Sequence, residues 1–143
     1  MIKIDKFFNT AGPVNFDECY KLDPLSRWEL DEILNLINQR KYFLLHAPRQ
    51  SGKTSCMLAL QKYLNERDDY VAIYLNVESA QAARHNVNEG IQAILSELGS
   101  ETAETLKDNN IKDEFFEFFH KYGAKNALTS SLEHLSKKTK KPV

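Results

Sequence analysis

The sequence predicts an α/β fold, three layers deep, with a parallel sheet between helices. Three observations predict it. Residues 41–54 read KYFLLHAPRQSGKT: an apolar run, a tight polar loop, then Gly52-Lys53-Thr54. An apolar-periodic segment follows at once, which gives the order strand, phosphate loop, helix. Residues 70–77, YVAIYLNV, form a second, nearly continuous apolar run. That pattern suits a strand covered on both faces of a parallel sheet. Strand, helix, strand makes a βαβ unit with a right-handed crossover.

The 143 residues suffice for one modest domain. With 19 basic and 20 acidic residues the net charge is −1, which argues against general coating of nucleic acid. Cys19 and Cys56 show no metal spacing and suit a reducing compartment. His46, His85, His120 and His134 are scattered, with no zinc spacing among them. No apolar run approaches membrane-spanning length, and the first residues lack a signal peptide's apolar region. The expectation is a cytoplasmic protein with no membrane partner.

In chain order, residues 1–22 read as an irregular arm. It is rich in turn formers, and Phe7, Phe8, Val14 and Phe16 give it something to bury on the domain. The rest, 23–143, reads as the nucleotide-binding part. A first helix covers about 24–40. It starts either with Asp23 as cap and Pro24 at the first position, or with a Ser26/Glu29 capping box. Leu30, Ile33, Leu34 and Ile37 form its apolar face. The strand at 41–47 follows, then the loop helix from Gly52 to about Arg67, with Met57, Leu60 and Leu64 spaced for the core and Cys56 and Tyr63 beside them. Past the second strand, Glu78 either faces a nucleotide or is a solvated carboxylate. Residues 80–98 read as mostly helical, with Gly99 as the stop. A polar connection or short helix spans 100–110, and Asp113 caps an aromatic helix. There Phe115, Phe118, Phe119 and Tyr122 share a face, for core packing or, as a lesser reading, a partner. A last helix at 126–137 carries Leu128, Leu132 and Leu135.

The loop carries the chemistry. It matches G-x-x-x-x-G-K-[ST] with Ala47 in the first glycine position. A triphosphate needs many donors in a small volume, so such a loop turns its backbone N–H groups inward. Gly52 permits close approach. The helix beyond it aims its N-terminal amides and positive dipole end at the anion. Lys53 supplies a mobile charge for the β- and γ-phosphates and for the charge developing on a transferred phosphoryl. Thr54 supplies a hydroxyl to Mg²⁺. Ala47, Pro48, Arg49, Gln50, Ser51, Gly52, Lys53, Thr54 and Ser55 are the candidate nucleotide-binding residues, Lys53 and Thr54 the catalytic ones, and Thr54 the metal ligand.

The segments FFNTAGPV (7–14) and HAPRQSGKT (46–54), with the first helix between them, resemble a bacterial group of AAA-like ATP-binding proteins. These are P-loop NTPases with an additional catalytic strand. The resemblance runs from Phe7 to the end, and 47–54 is its Walker A loop. It implies ATP or ADP with Mg²⁺ as ligands. Members of the group place an acidic Walker B strand after a Lys-Lys-Pro-Val-like lead, and here the residues end at Lys141-Pro142-Val143. The nearest run, 71–78, has Asn76 where an Asp is wanted. The resemblance therefore implies the N-terminal part of a larger protein, truncated before the Walker B strand. Sensor and arginine-finger residues would lie later or on a neighbouring subunit. Nucleic-acid or protein partners, and an oligomer, would belong to the complete protein. The group's strand order also implies that 41–47 and 70–77 are not sheet neighbours, which would leave the isolated piece marginally stable.

The expected function is Mg-ATP binding, with hydrolysis by the complete protein and little or none by these residues alone. The alternative is a nucleotide-binding regulatory module with little turnover. A small-molecule kinase is weaker, since nothing resembles an acceptor site.

Overall fold

The computed structural model describes Cys19 and residues 22–143. The expected packing of Phe7, Phe8, Val14 and Phe16 lies outside the described residues. These divide between two units, Met1–Leu60 and Gln61–Val143.

In the first unit a short 3₁₀ turn, Pro24–Arg27, precedes α1, Leu30–Asn38. Of the two start signals, Asp23 prevails. Its carboxylate accepts from the Leu25 N–H at 3.0 Å, with Pro24 at the first position. The Ser26 hydroxyl instead donates to the Asp23 carbonyl at 2.7 Å. The capping box does not form, and Glu29 precedes α1 without a side-chain cap. Trp28 is extended (φ −115°, ψ 154°) and separates the turn from the helix. Ile33 is buried, and Leu30, Leu34 and Ile37 are half-buried beside it. The helix ends in a Schellman motif, with Arg40 N–H donating to the Ile37 carbonyl (2.8 Å) and Lys41 N–H to the Leu36 carbonyl (3.0 Å). Arg40 takes the left-handed position, φ 55°.

The α/β reading is overturned here. Apart from an isolated bridge at Cys19, the described residues contain no strand, and the structure is all-α. The runs 41–47 and 70–77 carry no regular secondary structure and join no ladder, so the described residues form no βαβ unit, no parallel sheet and no three-layer P-loop NTPase architecture. The question of strand order falls with them. A short apolar run satisfies the sequence pattern of a buried strand, but backbone becomes a strand only when another segment takes up its N–H and C=O groups. Tyr42 and Leu44 stand 106% and 88% exposed, where a sheet would have covered them.

The helix α2, Lys53–Glu66, follows the loop. Leu60 and Leu64 are buried as expected, while Cys56 takes the place of Met57, which faces outward.

In the second unit the 70–77 run is held by Asn65 of α2. The Asn65 amide donates to the Ala72 carbonyl and accepts the Ala72 N–H, both at 2.9 Å. One side chain thus satisfies both backbone groups of Ala72, which a strand partner would otherwise do. Ile73 and Leu75 pack on the core. A 3₁₀ turn, Glu78–Ala83, leads to α3, Val87–Leu106, whose Asn86 cap accepts from Glu89 N–H at 3.3 Å.

Gly99 does not stop α3. It is buried, and a Cβ there would stand 3.2 Å from the Lys112 Cα. The bare Cα lets the next helix cross at that point, which offsets the helix penalty of about 1 kcal/mol for glycine. Lys107 ends the helix in the left-handed conformation, φ 54°. Asp108, not Asp113, starts the next one by accepting from Asn110 N–H at 3.0 Å.

That next element, α4, spans Asn110–Lys138 with a break at Gly123 (φ 69°, ψ 168°). The break folds the chain back. In a continuous helix Glu114 and His134 would stand about 30 Å apart, yet their side chains meet at 2.9 Å, and the Phe118 and His134 rings at 5.2 Å. The two arms of α4 pack with α3 around Leu98, Ile111, Phe115 and Leu135. Phe115 is buried, Phe118 packs against that core and Tyr122 is exposed. On the second arm the stripe is Ala127, Ser131 and Leu135, while Leu132 is 48% exposed. After α4 the chain returns past the 70–77 run, where Val71 N–H donates to the Pro142 carbonyl at 2.8 Å and Lys141 pairs with Asp68.

A polar cluster closes the hairpin. Lys138 reaches Asp108 at 2.7 Å and Glu114 at 3.0 Å, and His134 meets Glu114. Hydrogen bonding from Lys138 holds the Asp108 carboxyl below its ordinary range. At Glu114 burial pushes upward, but hydrogen bonds from Lys138 and His134 outweigh it and the carboxyl lies low.

Two outcomes follow. The Gly123 torsions fall in a region that is almost glycine-only, so Gly123→Ala is expected to lose about 1–3 kcal/mol in urea unfolding, although a Cβ there meets nothing. A loss under about 0.5 kcal/mol would mean the turn is not held. Carboxylates with lowered folded-state pKa stabilise fully above the usual carboxylate range, and that stability is lost as pH falls from that range through the lowered folded-state pKa. Thermal midpoints should therefore drop on acidification below about pH 5. Glu114→Gln should start lower near neutrality and fall less steeply, and parallel curves would remove Glu114 from the account.

Candidate functional site

The loop 47–55 lies wholly in the first unit. Gly52 contributes the first helical acceptor, its carbonyl taking the Cys56 N–H at 3.0 Å. The N–H groups of Lys53, Thr54 and Ser55 precede that bond and have no partner within the helix. Gln50 (φ 58°) and Gly52 (φ 80°) are both left-handed, which curls the loop over the helix start. Left-handed residues of this kind are an ingredient of the backbone nests that bind anions.

The Lys53 ammonium is folded back into the loop. It donates to the Ala47 and Pro48 carbonyls, each at 2.7 Å. The Ser51 hydroxyl also donates to the Pro48 carbonyl, at 2.7 Å. Lys53 and Ser51 thus gather on the Ala47 and Pro48 carbonyls. Arg49, Gln50 and Thr54 are exposed, and Ser55 is half-buried.

No acidic residue lies in the first turn of α2. Among the described residues no group of three His, Cys, Asp or Glu side chains is placed to hold a metal. Glu78 starts the 3₁₀ turn of the second unit, where the Asn76 side chain accepts its N–H at 3.0 Å. Asn76 is a turn former in place of the acid the motif wanted.

Sequence reasoning missed Arg27. A Cβ on Gly52 would lie 3.0 Å from an Arg27 guanidinium nitrogen, so that side chain covers the loop's glycine. No sequence signal marks this, because the reach depends on how the Pro24–Arg27 turn packs. Cys56 sits below it, 2% exposed, its thiol donating to the Pro24 carbonyl at 3.3 Å. Burial pushes the thiol's pKa up, Arg27 opposes this, and burial prevails, so the thiol stays unreactive.

The second unit holds a cavity of about 490 Å³, lined by Gln61, Asn65, Asp68, Glu101, Glu104 and Lys141 among others. Burial, then Glu104 and Glu97, raise the Glu101 carboxyl. No helix among the described residues is long and apolar enough to cross a membrane.

No family model, curated protein or solved structure matches the chain. The AAA-like resemblance rests on the 7–14 and 46–54 motifs alone, and the sheet that such an ATPase fold requires is not formed among the described residues.

Proposed function

We propose that the loop 47–55 binds the phosphate chain of a nucleoside triphosphate, ATP with Mg²⁺, and does so as a binding module with little turnover. The observation that carries this is the Gly52–Lys53 junction: a left-handed glycine, a helix start with free amides, and an ammonium resting on two carbonyls. A phosphate oxygen offers Lys53 a charge-assisted bond that neutral carbonyls do not.

Mg²⁺ is commonly held through substrate phosphates and waters with few protein oxygens. Thr54, exposed at the helix start, offers it one hydroxyl. That donor set suits a metal arriving with the nucleotide and does not suit a free-standing metal site. The metal would neutralise phosphate charge.

Lys53→Ala is expected to weaken Mg-ATP binding about ten- to a hundredfold in isothermal titration, with helical circular dichroism retained. Equal affinity would remove the loop from the reading. Phosphate release by these 143 residues is expected to stay well below about 1 s⁻¹, the low end of ordinary enzyme turnover. Lys53-dependent release at that rate would convert the module into an enzyme.

A further inference from the structure

We propose that Arg27 is a second phosphate-binding cation of this site, a proposal that rests on the loop reading above. Its guanidinium lies over Gly52, at the same helix start that Lys53 occupies. Among the described residues it has no carboxylate or carbonyl partner. Of the acids near it in sequence, Asp23 is engaged as the cap on Leu25 N–H and Glu29 forms no ion pair with it. Arg27 and Lys53 therefore bring two positive charges to the positive end of the α2 dipole, a repulsive arrangement that an anion relieves.

The geometry assigns the two cations different tasks. Lys53 sits within the loop and behaves as a point charge. Arg27 comes from outside, across the open side of Gly52, with a planar fork of donors suited to two phosphate oxygens at once. The ligand class is a polyphosphate whose oxygens extend past the loop amides toward the Pro24–Arg27 turn. Gly52 is favoured for its torsion, φ 80°, while a Cβ there would meet only the flexible end of Arg27.

The single tryptophan, Trp28, adjoins Arg27 and reports on it by fluorescence. Titration with inorganic tripolyphosphate and with Mg-ATP is expected to show Arg27→Gln binding both about tenfold more weakly than wild type. Its affinity should also depend less on salt. Arg27→Lys should recover only part of the loss. Wild-type affinity in Arg27→Gln, alongside lost affinity in Lys53→Ala, would overturn the Arg27 assignment and leave the loop reading standing. No tripolyphosphate or Mg-ATP binding by wild type would overturn both. If Arg27→Gln loses its helical circular dichroism, Arg27→Lys decides: tripolyphosphate affinity equal to wild type overturns the bidentate role, and a several-fold loss supports it.

Discussion

The backbone reversal at Gly123 is the constraint on which the Gln61–Val143 unit depends. Residues 110–138 are helical on both sides of it, and a continuous rod would carry Phe115 and Leu135 far apart. With the reversal they share one core with Leu98 and Ile111. Burying each of those side chains stabilises by about 1.5–3 kcal/mol. Glycine's extra backbone entropy costs about 0.5–1 kcal/mol, so packing wins by a clear margin. The Asp108–Lys138–Glu114–His134 cluster forms only because the reversal brings Glu114 beside the second arm.

Close helix approach has a cost visible in the same place. Gly99, Thr102, Ala127 and Ser131 put small residues on the buried stripes of α3 and α4. The Thr102 and Ser131 hydroxyls are buried with no hydrogen-bond partner. Each such group costs about 1–3 kcal/mol. Fit between helix backbones, as at Gly99 and Lys112, prevails over polar satisfaction at these two positions.

What was legible in the sequence was what depends on neighbours in the chain. Asp23-Pro24, the loop closing on Lys53 and the apolar spacing of α1 were readable because caps, turns and helix faces are local. Asn126 to Lys137 was readable as helix for the same reason. What was not legible depends on distant partners. The runs 41–47 and 70–77 carry a strand's apolar pattern, but Ala72 is satisfied by Asn65 rather than by a strand. Gly99 looks like a helix stop because glycine is a poor helix former, and only its Lys112 neighbour explains why the helix continues. Arg27 could not be placed at the loop without knowing where its turn packs.

The helix starts separate folding requirements from site requirements. α1 carries Asp31 and Glu32 in its first turn, α3 carries Glu89 and α4 carries Asp113. Each acid complements the positive end of its helix by about 0.3–1 kcal/mol. α2 departs from this pattern: its first turn opens on Lys53 and has no acid. Some cations find carboxylates: Lys62 with Glu66, Lys138 with Asp108 and Glu114, Lys141 with Asp68, Arg67 with Asp69. At α2 the ammonium rests on carbonyl dipoles, which satisfy its donors but leave its charge uncompensated. Helix stability would be served by an acid at this point, and phosphate binding would be blocked by one. The sequence places a lysine there, directly after the left-handed glycine at the close of the loop.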